Sequence, residues 1–419
     1  MIFNIMRANS RKIIFKIPEF PHVSETFIVA QIQTALKLGY DVDILTKKLI
    51  THNLHLIDKH NLSSKIIIEE YQIPKNRIVR VLKWLTLLIF NVKHIGYIIK
   101  YYNAHQKFSL TWLYEFLFYS KMNTVNIVHV QYGTSKYPLD ILKTIGFFKP
   151  ELIVSFHGHD AFFPINGFIK NEEYYNSLFK NSFAIIGNTN FLGKALLDLG
   201  CLKQKLQIIP VGINTDFFKL KTYATKSNAP LRLITVGRLH KIKGQLHAIK
   251  AIKGLKEREF NVSLTIVGEG SEYPVLDKFI KDHNLQDSVN LVGKKTALEI
   301  KTLFNKHDVY ILTAITLPDG RQETQGLATI EAQSCGLPVV AFDTGGIKYT
   351  LVDKVTGFLC KEGDHLDLQE KLIYFINNPS HIKNMGIEAN NFVEKAYSNN
   401  VLIKQWESIY ASAYNKNIE

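Results

Sequence analysis

LRLITVGRLHKIKGQLHAIKAIKGLKEREFNVSLTIVGEG, residues 231–270, sets the fold class. Leu233–Val236 is a short apolar run ended by Gly237, and Ser263–Val267 is a second such run. Between them lies a segment of helical length that opens near Gly244. Parallel strands need a crossover connection, so strand, helix and strand in close succession predict a parallel sheet flanked by helices. Downstream, Val289–Leu291, Val309–Leu312 and Val339–Phe342 continue the scheme. Upstream, Lys12–Ile17, Val42–Leu45, Ile127–Val130, Leu152–Phe156, Phe183–Ile186 and Gln207–Ile209 read as buried strands. Thr26–Leu38 is apolar at helical spacing and stops at Gly39. Two such sets predict an α/β chain of two doubly wound domains. The polar run KLKTYATKSNAP, residues 219–230, ends in Pro230 and is the expected linker. The expected domains are therefore 1–218 and 231–399. The amphipathic tail 400–419, with Trp406, either caps the second domain or crosses back to the first.

Of 419 residues, 46% are hydrophobic and 21% charged, which excludes a disordered chain and leaves room for two cores. Cys201, Cys335 and Cys360 are widely spaced and form no CxxC pair, so no disulfide framework is expected and a cytoplasmic setting fits. Arg11 and Lys12 interrupt the N-terminus before a secretory apolar core develops. The most membrane-like run, Trp84–Phe90, falls far short of the roughly 20 residues that span a bilayer. An integral membrane protein is not expected, whereas a peripheral one is.

The net charge of +14 is concentrated early: residues 1–215 carry 25 Lys/Arg against 14 Asp/Glu. Between Glu70 and Glu115 there is no acidic residue, while Lys75, Arg77, Arg80, Lys83, Lys93, Lys100 and Lys107 all fall there. Trp84, Phe90, Tyr97, Tyr101, Tyr102, Phe108 and Trp112 are interleaved with them. Cations among aromatics suit an anionic bilayer, reached through residues 75–107. The plainer reading is a solvated helix face with its aromatics in the core. No recognised nucleic-acid motif accompanies the patch, so nucleic acid is not expected.

Two motifs carry chemistry. In ITVGRLHKIKG a strand ends at Gly237, and Arg238 and Lys243 bracket a loop that opens a helix near Gly244. Free N–H groups at a helix start, beside two cations, suit a diphosphate. In ETQGLATIEAQSCGLP, residues 323–338, Gly326 to Cys335 reads as a helix stopped by Gly336 and Pro338. Glu323 precedes that helix and Glu331 lies inside it, among small and apolar neighbours. The two carboxylates address different ends of a ligand, and a carboxylate facing a vicinal diol is a usual way to hold a ribose. SFHGHD, residues 155–160, brings His157, His159 and Asp160 together, but no partner motif completes a metal site. His159 and Asp160 are expected to shape the loop.

In order and spacing these motifs resemble the family 4 retaining glycosyltransferases of GT-B fold. The resemblance rests on GRLHKIKG, on the two glutamates with EAQSCGLPVV, and on IPVGINTDFF at 209–218 and IVGEGSEYPVLDKFI at 266–280. FPHVSETFIVAQIQTALKLGYDVDIL at 20–45 and SFHGHD resemble the colanic-acid and exopolysaccharide branch. The resemblance implies two Rossmann-like domains facing each other across a cleft, an acceptor-binding first and a donor-binding second. It implies transfer of a sugar, with retention, from a nucleotide diphosphate-sugar to a glycan or polyprenyl-linked acceptor in surface polysaccharide synthesis. No metal and no cofactor besides that co-substrate are implied.

By the same resemblance, Arg238 and Lys243 would hold the diphosphate, Glu331 the ribose and Glu323 the donor sugar. Backbone groups of Gly326 and Leu327 would meet the phosphate or sugar, and those of Val292 and Gly293 the base. His157 would face the sugar and acceptor, and Ser24 and Glu25 would line the cleft from the first domain. The family's usual Pro–Glu pair after the GG turn is missing here, where Lys348 and Tyr349 follow Ile347, and PDGRQ at 318–322 is unusual before the first carboxylate. A GT-B nucleotide-sugar epimerase and a non-catalytic membrane-surface protein are the alternatives.

Overall fold

The structure is a computed structural model and describes residues 11–22, 25–58, 60–223 and 230–418. Ser24 and residues 224–229 of the expected linker lie outside the described residues. The chain forms two compact units. One comprises the chain up to Gly187, Gly193–Gln207 and the chain from Ile403, and the other comprises Asn188–Leu192 and Ile208–Leu402.

The first unit holds β1 (Lys12–Phe20), β2 (Asp41–Leu49), β3 (Ile66–Ile68), β4 (Ile127–Gln131), β5 (Glu151–Ser155), β6 (Ala184–Gly187) and β7 (Leu206–Ile208). Their order in the sheet is β3-β2-β1-β4-β5-β6-β7, parallel from β3 through β6. Every residue of β4 and β5 is buried, as in a sheet covered on both faces. The second unit holds β8 (Leu231–Val236), β9 (Val262–Val267), β10 (Val289–Leu291), β11 (Val309–Leu312), β12 (Val339–Phe342) and β13 (Gly357–Cys360). These six lie in the order β10-β9-β8-β11-β12-β13, all parallel.

Both sheets are of the doubly wound kind expected from the sequence. The strand order reverses between β1 and β4 and again between β8 and β11. Loops leaving the carboxyl ends of such strands diverge and open a crevice for ligands. Two strands, β3 and β13, are additions to the sequence reading. Both lie at sheet edges: β3 is a three-residue, partly exposed strand and β13 has four residues.

The helices that bear on function are α1 (Thr26–Lys37), α2 (Arg77–Phe90), α3 (Ile95–Ala104), α4 (Thr111–Ser120), α5 (Gln245–Glu257), α6 (Leu327–Ser334) and α7 (Asn399–Ile418). α5 buries Ala248, Ile249, Ala251, Ile252 and Leu255 in one core of the second unit, a helical stripe set against Leu233, Leu264 and Ile311. Residues 208–218 pack into the second unit, upstream of the expected linker. Ile213 pairs with Ser398, Phe218 joins a core with Phe304, and the Ser334 hydroxyl donates to the Phe218 carbonyl at 2.5 Å. From Ile403 onward α7 packs with the first unit. There the Tyr410 hydroxyl lies 2.9 Å from Nδ1 of the buried His129, and Asn417 accepts from Asn126 at 3.1 Å.

In the basic window the aromatics divide between the two sides. Trp84 and Trp112 are half-buried and not surface anchors: the Trp84 indole donates to the Tyr102 hydroxyl at 2.9 Å, and Trp112 stacks on His105 at 4.2 Å. Of the window's aromatics Phe90 and Phe108 stay exposed, and the other large apolar side chains left outside are aliphatic.

Candidate functional site

In the second unit the loop from Gly237 to Gly244 leaves β8. The Leu239 N–H donates to Glu269 and the Leu239 carbonyl accepts from Glu272, tying this loop to the one after β9. His240 Nδ1 accepts from the Ile242 N–H at 3.3 Å and shapes the tight turn Lys241–Lys243. Gly244 follows in the left-handed region, at φ +60°, and a Cβ there would strike the Thr313 carbonyl oxygen. The Thr313 hydroxyl donates to the Gly244 carbonyl at 2.8 Å, so the loops after β8 and β11 lie against each other.

That contact brings together residues far apart in sequence. Lys243 Nζ lies 2.5 Å from Glu323 Oε2, with side chains 19% and 15% exposed. Glu323 Oε1 accepts from the Gly326 N–H at 3.2 Å, where α6 begins. The Glu323 carbonyl accepts from the Gly346 N–H at 2.7 Å, and a Cβ on Gly346 would fall on the Thr324 carbonyl. Burial raises the Glu323 carboxyl, but the Lys243 charge and the hydrogen bonds outweigh it, so the group is held below its ordinary value and stays ionised.

Glu331 differs. It is half-buried on α6, and no hydrogen-bond or ion-pair partner is found for its carboxylate among the described residues. Burial pushes it up to about 7. Arg238 is exposed, likewise without a side-chain partner among the described residues, while its carbonyl accepts from the Gln245 amide at 2.9 Å. This unit thus offers a cation, a carboxylate poised near neutrality and a Lys–Glu pair on adjoining loops.

The backbone groups expected at the donor lie at two places in the second unit. The Val292 N–H donates to Ile266 and the Gly293 carbonyl accepts from Gly268, both to hold the β9 and β10 ends together. The Gly326 N–H is occupied by Glu323, whereas the N–H of Leu327, at the first turn of α6, needs no intrahelical acceptor. The unusual 318–322 segment closes on itself: Arg321 pairs with Asp319 at 2.8 Å, and Gln322 donates to Thr316, which is held by Glu362. At the GG turn Lys348 is exposed, and the Tyr349 carbonyl accepts from Tyr397.

In the first unit the HGHD loop follows β5. The Asp160 carboxylate is fully buried and accepts from the backbone N–H groups of Gly133, His157 and Gly158 at 2.9, 3.0 and 2.9 Å. Asp160 therefore shapes the loop. His159 is exposed, its ring 5.1 Å from that of Tyr132. His157 Nε2 lies 2.9 Å from Gln131 Oε1, and burial lowers its pKa to about 4, so the ring is neutral at pH 7. Glu25 accepts from the Tyr132 hydroxyl at 2.7 Å. Tyr132 and Gln131 were not singled out in the sequence. Tyr132 sits at φ +69°, a strained backbone for a tyrosine, with its ring 4.8 Å from that of His157. Their only sequence signal is position, directly after an apolar strand and before a glycine.

Residues 217–397 match the family described as glycosyl transferases group 1. The chain is 27% identical over 415 residues to the amylovoran biosynthesis glycosyltransferase AmsK of Erwinia amylovora, covering 95% of this chain and 98% of that one. It is 27% identical over 372 residues to the putative colanic acid biosynthesis glycosyltransferase WcaL of Escherichia coli K12, covering 87% and 90%. In fold it is similar to a glycosyltransferase of Rickettsia africae, with TM-score 0.70, 21% identity and coverage of 97% and 99%. It is also similar to Anabaena HepE solved in complex with UDP and glucose, with TM-score 0.71, 17% identity and coverage of 96% and 100%. The two parallel sheets are those of the GT-B fold.

Proposed function

We propose that this chain, whose residues 217–397 match the glycosyl transferases group 1 family, is a glycosyltransferase that moves a sugar from a nucleoside-diphosphate sugar to a growing surface polysaccharide or its polyprenyl-linked precursor. The likeness to AmsK and WcaL over most of the chain supports a role in exopolysaccharide synthesis and gives an epimerase no support. Solved HepE, with UDP and glucose, supports a uridine nucleotide among the donors to try first. The observation that carries the reading is the Lys243–Glu323 pair at the foot of α6, with Arg238 on the same loop as Lys243 and Glu331 along the same helix.

In this reading Arg238 and Lys243 grip the diphosphate. The bond from the anomeric carbon to the phosphate oxygen breaks, and its electron pair stays on the nucleoside diphosphate, where the fixed cations lower the barrier. The acceptor hydroxyl attacks from the face the diphosphate leaves, and its proton passes to a departing phosphate oxygen, so configuration is retained. The two cations take the part a metal plays elsewhere, and no further cofactor is needed. Glu331 accepts from the ribose diol and Glu323 from the donor sugar, releasing Lys243 toward phosphate. Leu327 offers its N–H to the phosphate, and Val292–Gly293 border the base. Glu25 and neutral His157 belong to the acceptor side.

Thermal-shift screening of nucleoside diphosphates and their sugars tests the donor assignment, because a ligand of the native state raises its melting temperature by mass action. Stabilisation by one nucleotide class, followed by release of that diphosphate with a lipid-linked acceptor and an axial-to-axial or equatorial-to-equatorial product, is expected. An inverted product would overturn retention, and no stabilisation by any nucleotide would overturn the donor site. Among the described residues no helix is long and apolar enough to cross a membrane. The reading places the enzyme peripherally at the inner face of the plasma membrane, where a polyprenyl-linked acceptor is presented.

A further inference from the structure

α2 is a helix built inside out. Asn76 caps it, accepting from the N–H groups of Ile78 and Val79 at 2.9 and 3.2 Å, so its start is secured locally. Ile78, Leu82, Leu85 and Ile89 follow at spacings of four, three and four, the pattern that normally turns a stripe toward a core. Here that stripe faces outward: the four side chains are 73%, 59%, 46% and 71% exposed. The half-buried side is formed by Trp84, Leu87 and Leu88, and no residue of α2 is fully buried. The apolar surface continues through Phe90 and Val92 to Ile95 and Ile99 of α3, all exposed. Exposed Lys93, Lys100 and Lys107 accompany it, with no acidic residue from 71 to 114. A contiguous apolar surface of this kind marks an interaction site.

We infer that the outward stripe of α2, with Ile95 and Ile99 of α3, lies flat in the interface of an anionic bilayer and inserts its aliphatic side chains below the headgroups. This deepens the peripheral-membrane part of the proposed function. Charge selects the occupant. A second copy meeting this face across a two-fold axis would set its cations against the same cations, with no acidic residue from 71 to 114 to answer them. An anionic leaflet offers opposite charge above and hydrocarbon beneath, which matches cations beside an aliphatic stripe. The anchors are aliphatic side chains, so attachment survives salt better than a purely electrostatic contact. Arg80 takes no part, because its guanidinium donates to the carbonyls of Pro74 and Lys75 and braces the helix start.

The test is co-sedimentation of the full chain with phosphatidylcholine vesicles with and without phosphatidylglycerol, at low and high ionic strength. The wild type should pellet with the anionic vesicles at low salt and stay partly bound at high salt. Leu82→Glu/Ile89→Glu, at two exposed positions, should weaken partitioning roughly tenfold or more under both conditions. Lys93→Glu/Lys100→Glu/Lys107→Glu should lower it chiefly at low salt. Each variant should keep the wild-type nucleotide-sugar affinity, which shows that it is folded. If nucleotide-sugars fail to bind while vesicles still do, the catalytic reading falls and the docking surface stands. A wild type that ignores anionic vesicles at low salt overturns the inference. So does a Leu82→Glu/Ile89→Glu protein that pellets normally, or a lipid-free wild-type dimer which that variant splits without any vesicle binding.

Discussion

The loop after β5 in the first unit and the loops after β8 and β11 in the second handle charge in opposite ways. Around Asp160 every charge has a task within the fold: both carboxylate oxygens accept backbone N–H groups, and His157 is held neutral against Gln131. In the second unit Lys243 and Glu323 are paired, but Arg238 and Glu331 carry charge that no described side chain answers. Internal satisfaction stabilises a loop. A partly buried carboxylate without a partner costs stability, which makes sense where a ligand later supplies the hydrogen bonds. Under the proposed function, the contrast separates residues kept for shape from residues kept for binding.

The sharpest way to break that contrast is at Asp160. Asp160→Ala orphans three backbone donors at once, and the first unit should lose about 3 kcal/mol or more of unfolding free energy in urea. Wild-type stability in this variant would mean the loop is held by something else. Next come the cations. Arg238→Ala and Lys243→Ala should each weaken nucleotide-sugar binding by roughly 1.5–3 kcal/mol, about ten- to a hundredfold, by calorimetry. Only Lys243→Ala should also lower the melting temperature of the free protein, because only Lys243 has a partner to abandon. Equal melting temperatures for the two would erase the distinction drawn here. The smallest effect is in pH. With the Glu331 carboxyl at about 7, the ionised form, which the proposed function sets against the ribose diol, gains population as pH rises. Affinity for a nucleotide-sugar, whose diphosphate does not titrate in this range, should rise about tenfold from pH 6 to pH 8. Glu331→Gln should flatten the profile, and a flat wild-type profile would remove Glu331 from the ribose.

What the sequence made legible follows the range over which each signal acts. Strand–helix alternation and the glycine-punctuated GRLHKIKG turn are local, so the sheets and the first loop could be read directly. The Lys243–Glu323 pair joins residues 80 apart and depends on Gly244 packing against Thr313, which no local pattern encodes. Asp160 was readable as loop-shaping because a short acidic side chain beside a glycine finds N–H groups nearby. Tyr132, strained after β4, gave no such cue. In α2 the periodicity marks an apolar stripe, but Trp84, Leu87 and Leu88 compete with it on the other side. Only packing shows that this second set is the one that turns inward, leaving the aliphatic stripe outside.

The central claim is that Glu331 is maintained for a ligand at a cost to the fold, and Glu331→Gln tests it most directly through melting temperature and donor affinity together. The native carboxyl is raised from 4.5 to about 7 by burial, so the wild type loses stability as pH climbs from 4.5 through 7, a loss the neutral amide does not share. At about pH 8 the variant should melt higher than the wild type, the two should converge below pH 4.5, and at pH 8 the variant should bind the nucleotide-sugar more weakly. A variant that melts lower at pH 8, or binds its donor as tightly as the wild type, would contradict the account.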